Sequence, residues 1–192
     1  MVVQAGRHQF DVAQGRIVLL TARDGLAATV GHDLTMEVGR WSAELEVADD
    51  LTKADLHVRA DLNSLTVREG SGGVKPLTDR DRREIAVTAR KVLRADRYPE
   101  ATFSAAGFDP GQDGGTVSGT LTLAGESRPL RLDVQRTSAG GYRATGSVRQ
   151  SDFGIKPYTA FLGALRVSDV VRIVVDVVLP ASGSGAGAGE QS

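Results

Sequence analysis

Side chains able to do chemistry are few in this chain and thinly spread. Three histidines, His8, His32 and His57, lie too far apart to show metal-ligand spacing, and without a cysteine there is neither a thiolate ligand nor a disulfide framework. No metal and no cofactor is therefore expected. His32 has the most suggestive neighbours. In Gly31-His32-Asp33-Leu34 an acid stands beside an imidazole in a shaped turn. That arrangement suits a general base in a small hydrolase or isomerase, and equally a histidine that hydrogen-bonds a nearby backbone group and fixes the start of a strand. No nucleophile accompanies it: there is no Gly-x-Ser-x-Gly elbow, and Gly70-Ser71-Gly72-Gly73-Val74-Lys75 lacks the Lys-Ser/Thr pair of a phosphate loop. Cations gather in two places, Arg80, Arg82 and Arg83 in one, and Arg149 with Lys156 around Asp152-Phe153-Gly154 in the other. Guanidinium forks take phosphate oxygens in pairs, so these clusters could orient an anionic head; they read as well as solvated charges paired with Asp79, Asp81, Glu84 and Asp152. With 23 Lys+Arg against 24 Asp+Glu the net charge is −1, which argues against a nucleic-acid surface.

The elements that must position these residues are mostly strands, recognisable because side chains alternate between the two faces of a sheet. Between Arg40 and Val47, Trp41, Ala43, Leu45 and Val47 share one side; between Ala54 and Leu62, Leu56, Val58, Ala60 and Leu62 do the same. Val117 to Leu123 and Leu130 to Val134 read as a hairpin turning at Gly125. Tyr142 to Val148, Val170 to Leu179, Arg16 to Ala22 and Thr29 to Val38 complete the set. One segment breaks the pattern. Thr78-Asp79-Arg80-Asp81 has the form of a capping box with Asp in place of Glu, after which Ile85, Thr88, Ala89, Val92 and Leu93 recur at helical spacing until Pro99. The narrow apolar stripe predicts a helix lying against a barrel mouth or flank. Glu69-Gly70-Ser71-Gly72-Gly73 before it reads as a loop, either a lid or rim (69–75) or a plain surface turn.

Three motifs in order along the chain carry a resemblance: Tyr98-Pro99-Glu100-Ala101-Thr102-Phe103, then Gly119-Thr120-Leu121-Thr122-Leu123-Ala124-Gly125 with Pro129-Leu130-Arg131-Leu132, then Arg149-Gln150-Ser151-Asp152-Phe153-Gly154-Ile155. With Arg80-Asp81 ahead of them, this pattern resembles the YceI-like family. The resemblance implies an all-β domain, an antiparallel eight-stranded lipocalin-like barrel with a helix packed on it. It further implies an elongated pocket for an isoprenoid or another long-chain lipid, such as a polyprenyl diphosphate or a quinone-like molecule. Where relatives carry His-Leu after the Arg-Asp pair, Arg82-Arg83 follows here, a change expected to alter headgroup preference.

From these readings the chain divides into an N-terminal segment (1–9), a barrel domain (10–180) and a Gly/Ala/Ser tail (181–192) with no large apolar side chains, expected to be disordered. The alternating runs give roughly eight or more strands, a number at which a closed barrel can enclose one small ligand, and a sandwich is the other arrangement they allow. Only 5% of residues are aromatic, and Ala43, Ala60, Gly119, Ala144 and Gly146 fall on inward parity, which either leaves room for a guest or permits tight curvature. The expected activity is non-catalytic lipid binding or carriage. His32, Trp41, Phe103, Phe108, Leu121, Phe153, Tyr158 and Phe161 are expected to line or cover the cavity, and Arg80, Arg149 and Lys156 to orient a polar head. The alternatives are an enzyme built on His32 and Asp33, or a protein-interaction module. The first residues lack the basic start and apolar run of a secretory signal, so a cytoplasmic location is expected. No run reaches the roughly 18 apolar residues of a membrane span, so stable membrane insertion is not expected, and a homodimer is left open.

Overall fold

The computed structural model describes residues 5–49, 53–111, 114–138 and 140–178. The tail expected to be disordered (181–192) lies outside the described residues, as does Leu179, expected to end the last strand. Along the chain run β1 (Gly6–Asp11), β2 (Gly15–Thr21), β3 (Arg23–Asp24), β4 (His32–Val38), β5 (Trp41–Val47), β6 (Ala54–Asp61), β7 (Leu65–Gly72), the helix α1 (Asp79–Val92), β8 (Glu100–Ala106), β9 (Asp109–Pro110), β10 (Gly114–Leu123), β11 (Glu126–Arg136), β12 (Tyr142–Arg149), β13 (Thr159–Ala160), β14 (Leu165–Val167) and β15 (Val170–Val177).

Eleven strands form one antiparallel hydrogen-bonded path, β1-β5-β6-β8-β10-β11-β12-β15-β2-β4-β7, with β9 added on β10, and a small second sheet runs β13-β14-β3. This exceeds the eight strands expected, because long runs bend and are cut into segments. Only Gly39 and Arg40 separate β4 from β5, and only the turn Leu62–Ser64 separates β6 from β7. The two bends lie side by side: Gly39 N–H donates to Ser64 O (3.2 Å) and Asp61 N–H to Arg40 O (2.9 Å). The pairs β5–β6 and β4–β7 are thus two lengths of one bent hairpin. A path that leaves from β5–β6 returns to β4–β7, so the sheet curls around an interior.

Alternation supplies that interior with apolar side chains. One core cluster gathers Phe103, Leu121, Leu123, Leu130, Leu132, Phe153 and Ile155; a second gathers Phe10, Ile17, Met36, Val38, Trp41, Leu65 and Val67. The expected hairpin at Gly125 is present: Leu123 pairs with Glu126, and both intervening residues, Ala124 (φ 52°) and Gly125 (φ 86°), are left-handed, the backbone whose twist suits a two-residue hairpin.

The helix starts as its sequence predicts. Thr78 Oγ1 accepts from Asp81 N–H while the Asp81 carboxylate accepts from Thr78 N–H (2.9 Å). It stops at Val92, short of Pro99, because Arg94 turns left-handed (φ 55°) and Ala95 N–H bonds Arg90 O (2.9 Å) in a Schellman closure. Arginine tolerates that backbone here because its guanidinium donates to Ala124 O (2.9 Å) and to Phe153 O (3.4 Å) and sits 5.3 Å from the Tyr98 ring centre.

Two expected boundaries move. The sheet begins at Gly6, not after residue 9, because β1 pairs with β5 over its whole length and Phe10 is buried. Residues 69–72, read as loop, form the end of β7: Gly72 pairs with His32 and Ser71 with Asp33. Glycine at 72 is a backbone need, since its φ of 79° is left-handed, and a Cβ on Gly70 would displace the Leu77 side chain, whose Cδ1 would lie 2.3 Å away.

Candidate ligand cavity

Cross-strand rows build a hollow between the two core clusters. One row runs Ile173, Leu19 and Met36 across β15, β2 and β4; another runs Val58, Phe103 and Leu121 across β6, β8 and β10. Their side chains face each other over a cavity of about 630 Å³. This is within the range of small-molecule sites. α1 roofs it with Ile85, Thr88, Ala89, Val92 and Leu93, the stripe legible in the sequence. The mouth is marked by lining residues that also reach solvent: Val30, Tyr158 and Phe161, with Glu84 and Arg166. A second hollow of about 430 Å³, lined by Val74, Lys75, Pro76, Leu77 and Asp81, adjoins it and shares Val30, His32, Glu84 and Ile85.

The small residues on inward parity do not all leave room for a guest. Ala60 lines the cavity, but a Cβ on Gly119 would lie 2.8 Å from Phe103 Cζ and one on Gly146 2.6 Å from Leu132 Cδ2. At those two positions glycine admits a neighbour's large side chain and leaves no void.

Polar groups around the mouth are engaged with one another. His32 Nε2 donates to Lys75 O (2.8 Å), the backbone role weighed in the sequence. Asp33 accepts from Arg23 N–H (2.8 Å) and stands 3.8 Å from the Arg23 guanidinium, which itself donates to Gly31 O (2.8 Å). Arg166 pairs with Asp24 at 3.0 Å. The Asp24 carboxyl is held below its ordinary range, first by the Gly25 N–H and then by Arg166. Deeper in, Gln150 is buried and its amide donates to Ser168 O (2.9 Å), while the Thr21 hydroxyl is buried without a hydrogen-bond partner.

Five of the residues expected to contact a ligand line this cavity: His32, Phe103, Leu121, Tyr158 and Phe161. The rest stand elsewhere. Trp41 is buried in the second core cluster and Phe153, 2% exposed, in the first, and neither lines the cavity. Phe108 is half exposed against Gly115. Arg80 points to solvent and pairs with Glu84 (2.8 Å), because its helix turns it away from the stripe. Arg149 and Lys156 are exposed and off the lining. The cations that do line it, Arg23 and Arg166, went unremarked in the sequence. Arg23 was within reach: Ile17, Leu19, Thr21 and Arg23 occupy alternate positions and all four line the cavity. Arg166 lies in a segment with no periodic signal.

The family model for the YceI-like domain matches residues 9–179. Among curated relatives, the UPF0312 protein YE1254 of Yersinia enterocolitica is 29% identical over 109 residues, 52% of this chain and 54% of the relative. A UPF0312 protein of Yersinia pestis matches with the same identity and extent. The chain thus spans about half the length of the curated relatives it matches. Among solved structures, Burkholderia cenocepacia BcnA superposes with a TM-score of 0.57 at 16% identity, covering 85% of this chain and 94% of that one. The Campylobacter jejuni YCEI protein gives 0.51 at 21% identity, covering 74% and 81%. Both show the same fold.

Proposed function

The chain belongs to the YceI-like domain family, and from that premise we propose that it binds and carries one long apolar lipid, a polyisoprenoid or quinone-like molecule, in the interior of its curled sheet and catalyses no reaction. The cavity carries this reading. Its walls and roof are apolar side chains from nine strands of the main sheet and the helix stripe, and its polar fittings are confined to the mouth and to Thr21, Thr88, Thr102 and Gln150. A void of about 630 Å³, at roughly 30 Å³ for a water-sized group, takes about 20 methylene-sized carbons. Longer chains would trail out past Tyr158 and Phe161.

The headgroup follows from the placement of charge. Arg80, Arg149 and Lys156, which would have held a diphosphate, stand off the lining, and the two mouth arginines are already matched by Asp33 and Asp24. An uncharged head, an alcohol or a quinone carbonyl, fits a mouth whose cations are spoken for. The non-catalytic part of the reading is supported by His32 and Asp33, each committed to a backbone partner. Changing His32 to Ala should leave lipid binding in place, whereas an enzyme built on it would lose turnover. The decisive experiment is native mass spectrometry on protein purified without detergent, followed by solvent extraction. A co-purified neutral lipid is expected, and uptake of added geranylgeraniol by any empty fraction. Protein that stays empty and takes up no geranylgeraniol would overturn the proposal.

A further inference from the structure

Two loops at the cavity mouth carry large apolar side chains outward. Leu26 is 100% exposed, Leu162 109% and Phe161 67%. Isolated exposed leucines are ordinary, but these are gathered and held. Ala27 N–H donates to Ala164 O (2.8 Å), and a Cβ on Gly25 would meet the same carbonyl at 2.4 Å, so the loop of Leu26 is fastened to that of Leu162. The small sheet β13-β14-β3 ties the two segments again at their bases. Phe161 (φ 50°) and Leu162 (φ 54°) are both left-handed, a backbone that bulky residues rarely adopt and that persists only where surrounding structure enforces it. Enforced strain that turns a leucine into water has no packing return within the chain.

We infer that Leu26, Phe161 and Leu162 form a tip that dips into the surface of a lipid bilayer and sets the cavity mouth against it, so that an apolar guest passes between membrane and barrel without crossing water. The inference rests on the carrier reading for its purpose, not for its surface. The tip is continuous with the cavity, since Phe161 belongs to both. Charge is matched at its base, where Arg166 meets Asp24 and Arg23 meets Asp33, so it suits a neutral lipid interface and does not call for an anionic one. A second copy of the chain is a poorer occupant: a stable dimer covers about 800 Å² per partner, and three protruding side chains, at about 150–250 Å² for a phenylalanine, fall short.

The test is co-sedimentation of the full chain with phosphatidylcholine vesicles, comparing it with the double variant L26S/L162N; neither residue lines the cavity, and asparagine accepts the left-handed backbone at 162 more readily than leucine. The wild type is expected to partition reversibly onto the vesicles, with little change when phosphatidylglycerol or salt is added, and the variant to lose about tenfold or more. Both should show the same thermal shift with geranylgeraniol. A wild type that stays in the supernatant, a variant that sediments as well as it, binding that needs anionic lipid, or a wild-type dimer in sedimentation velocity that the variant dissolves would each overturn the inference. Vesicle binding that depends on Leu26 and Leu162 without any geranylgeraniol shift would uphold the docking tip and sink the carrier reading instead.

Discussion

Filling the cavity from its own wall separates a guest site from an ordinary core. Ala60 lies on β6, paired with Ala101 of β8, and both side chains line the void. In Ala60→Phe six ring carbons enter space that a guest would otherwise use. A guest of about 20 carbons gains on the order of 16 kcal/mol from burial at ~0.8 kcal/mol per methylene. Association itself costs about 4–15 kcal/mol, so micromolar affinity is a reasonable centre. At a hundredfold excess over Kd such a guest stabilises the fold by about 2.7 kcal/mol, or roughly 5–11 °C in Tm for a domain of this size. Losing room for six carbons removes about 5 kcal/mol of burial, more than a thousandfold in Kd, and that shift vanishes. In the empty protein the sign is opposite: the ring buries itself, gaining about 1.5–3 kcal/mol. Differential scanning calorimetry with and without geranylgeraniol reads both. The variant should unfold at or above the wild-type temperature when empty and fail to respond to the guest. An empty variant that loses about 1–3 kcal/mol, as an overpacked core does, while still shifting with geranylgeraniol would refute the reasoning, because the void would then be neither vacant nor the site.

Three further substitutions test the frame around that void. Gly119→Ala sets a Cβ 2.4 Å from Ser104 O and 2.8 Å from Phe103 Cζ, and should cost about 1–3 kcal/mol in urea unfolding; an unchanged midpoint would mean that Phe103 does not occupy that niche. Thr78→Ala removes the helix cap and should cost about 1 kcal/mol, with reduced amide-exchange protection in the first turn of α1. Asp176 is held below its ordinary carboxylate range first by Arg143 (2.6 Å) and also by Arg16 (2.9 Å), against the cost of its partial burial. Its folded value is the lower one, so its contribution is present above the unfolded value of about 3.9 and is lost as pH falls through the folded value. Asp176→Asn should therefore be about 1–2 kcal/mol less stable near pH 7, a gap that closes below about pH 4; a gap independent of pH would assign the effect to packing.

Most of the frame was legible because it rests on period. Strict alternation placed Val58 and Leu121 on the apolar faces of their strands, and the 3.6-residue recurrence of Ile85, Thr88, Ala89, Val92 and Leu93 marked the helix face that packs on the barrel; Phe103 came from the motif and not from period. Where period gives out, reading fails for identifiable reasons. Glycine-rich β7 looked like loop, because Gly70 and Gly72 answer to Leu77 and to the Arg23 guanidinium, neighbours that no strand period reveals. Arg94 gave no sign of ending a helix, since the two carbonyls that stabilise its turn lie 30 and 59 residues further on. The charged rim was misplaced for a simpler reason: Arg80 lies on a helix whose opposite face was the informative one, and of the arginines at the mouth only Arg23 continues an alternation, that of β2, while Arg166 sits on the short β14 without one.

The anchoring of Arg94 has a mechanical consequence. By gripping the tip of one hairpin and the backbone at Phe153 together, it nails down the trailing end of the roof beam. Any breathing of the roof must swing from that fixed point, and at the leading end, by Thr78, the tie to be released is the hydrogen bond from His32 to Lys75 O.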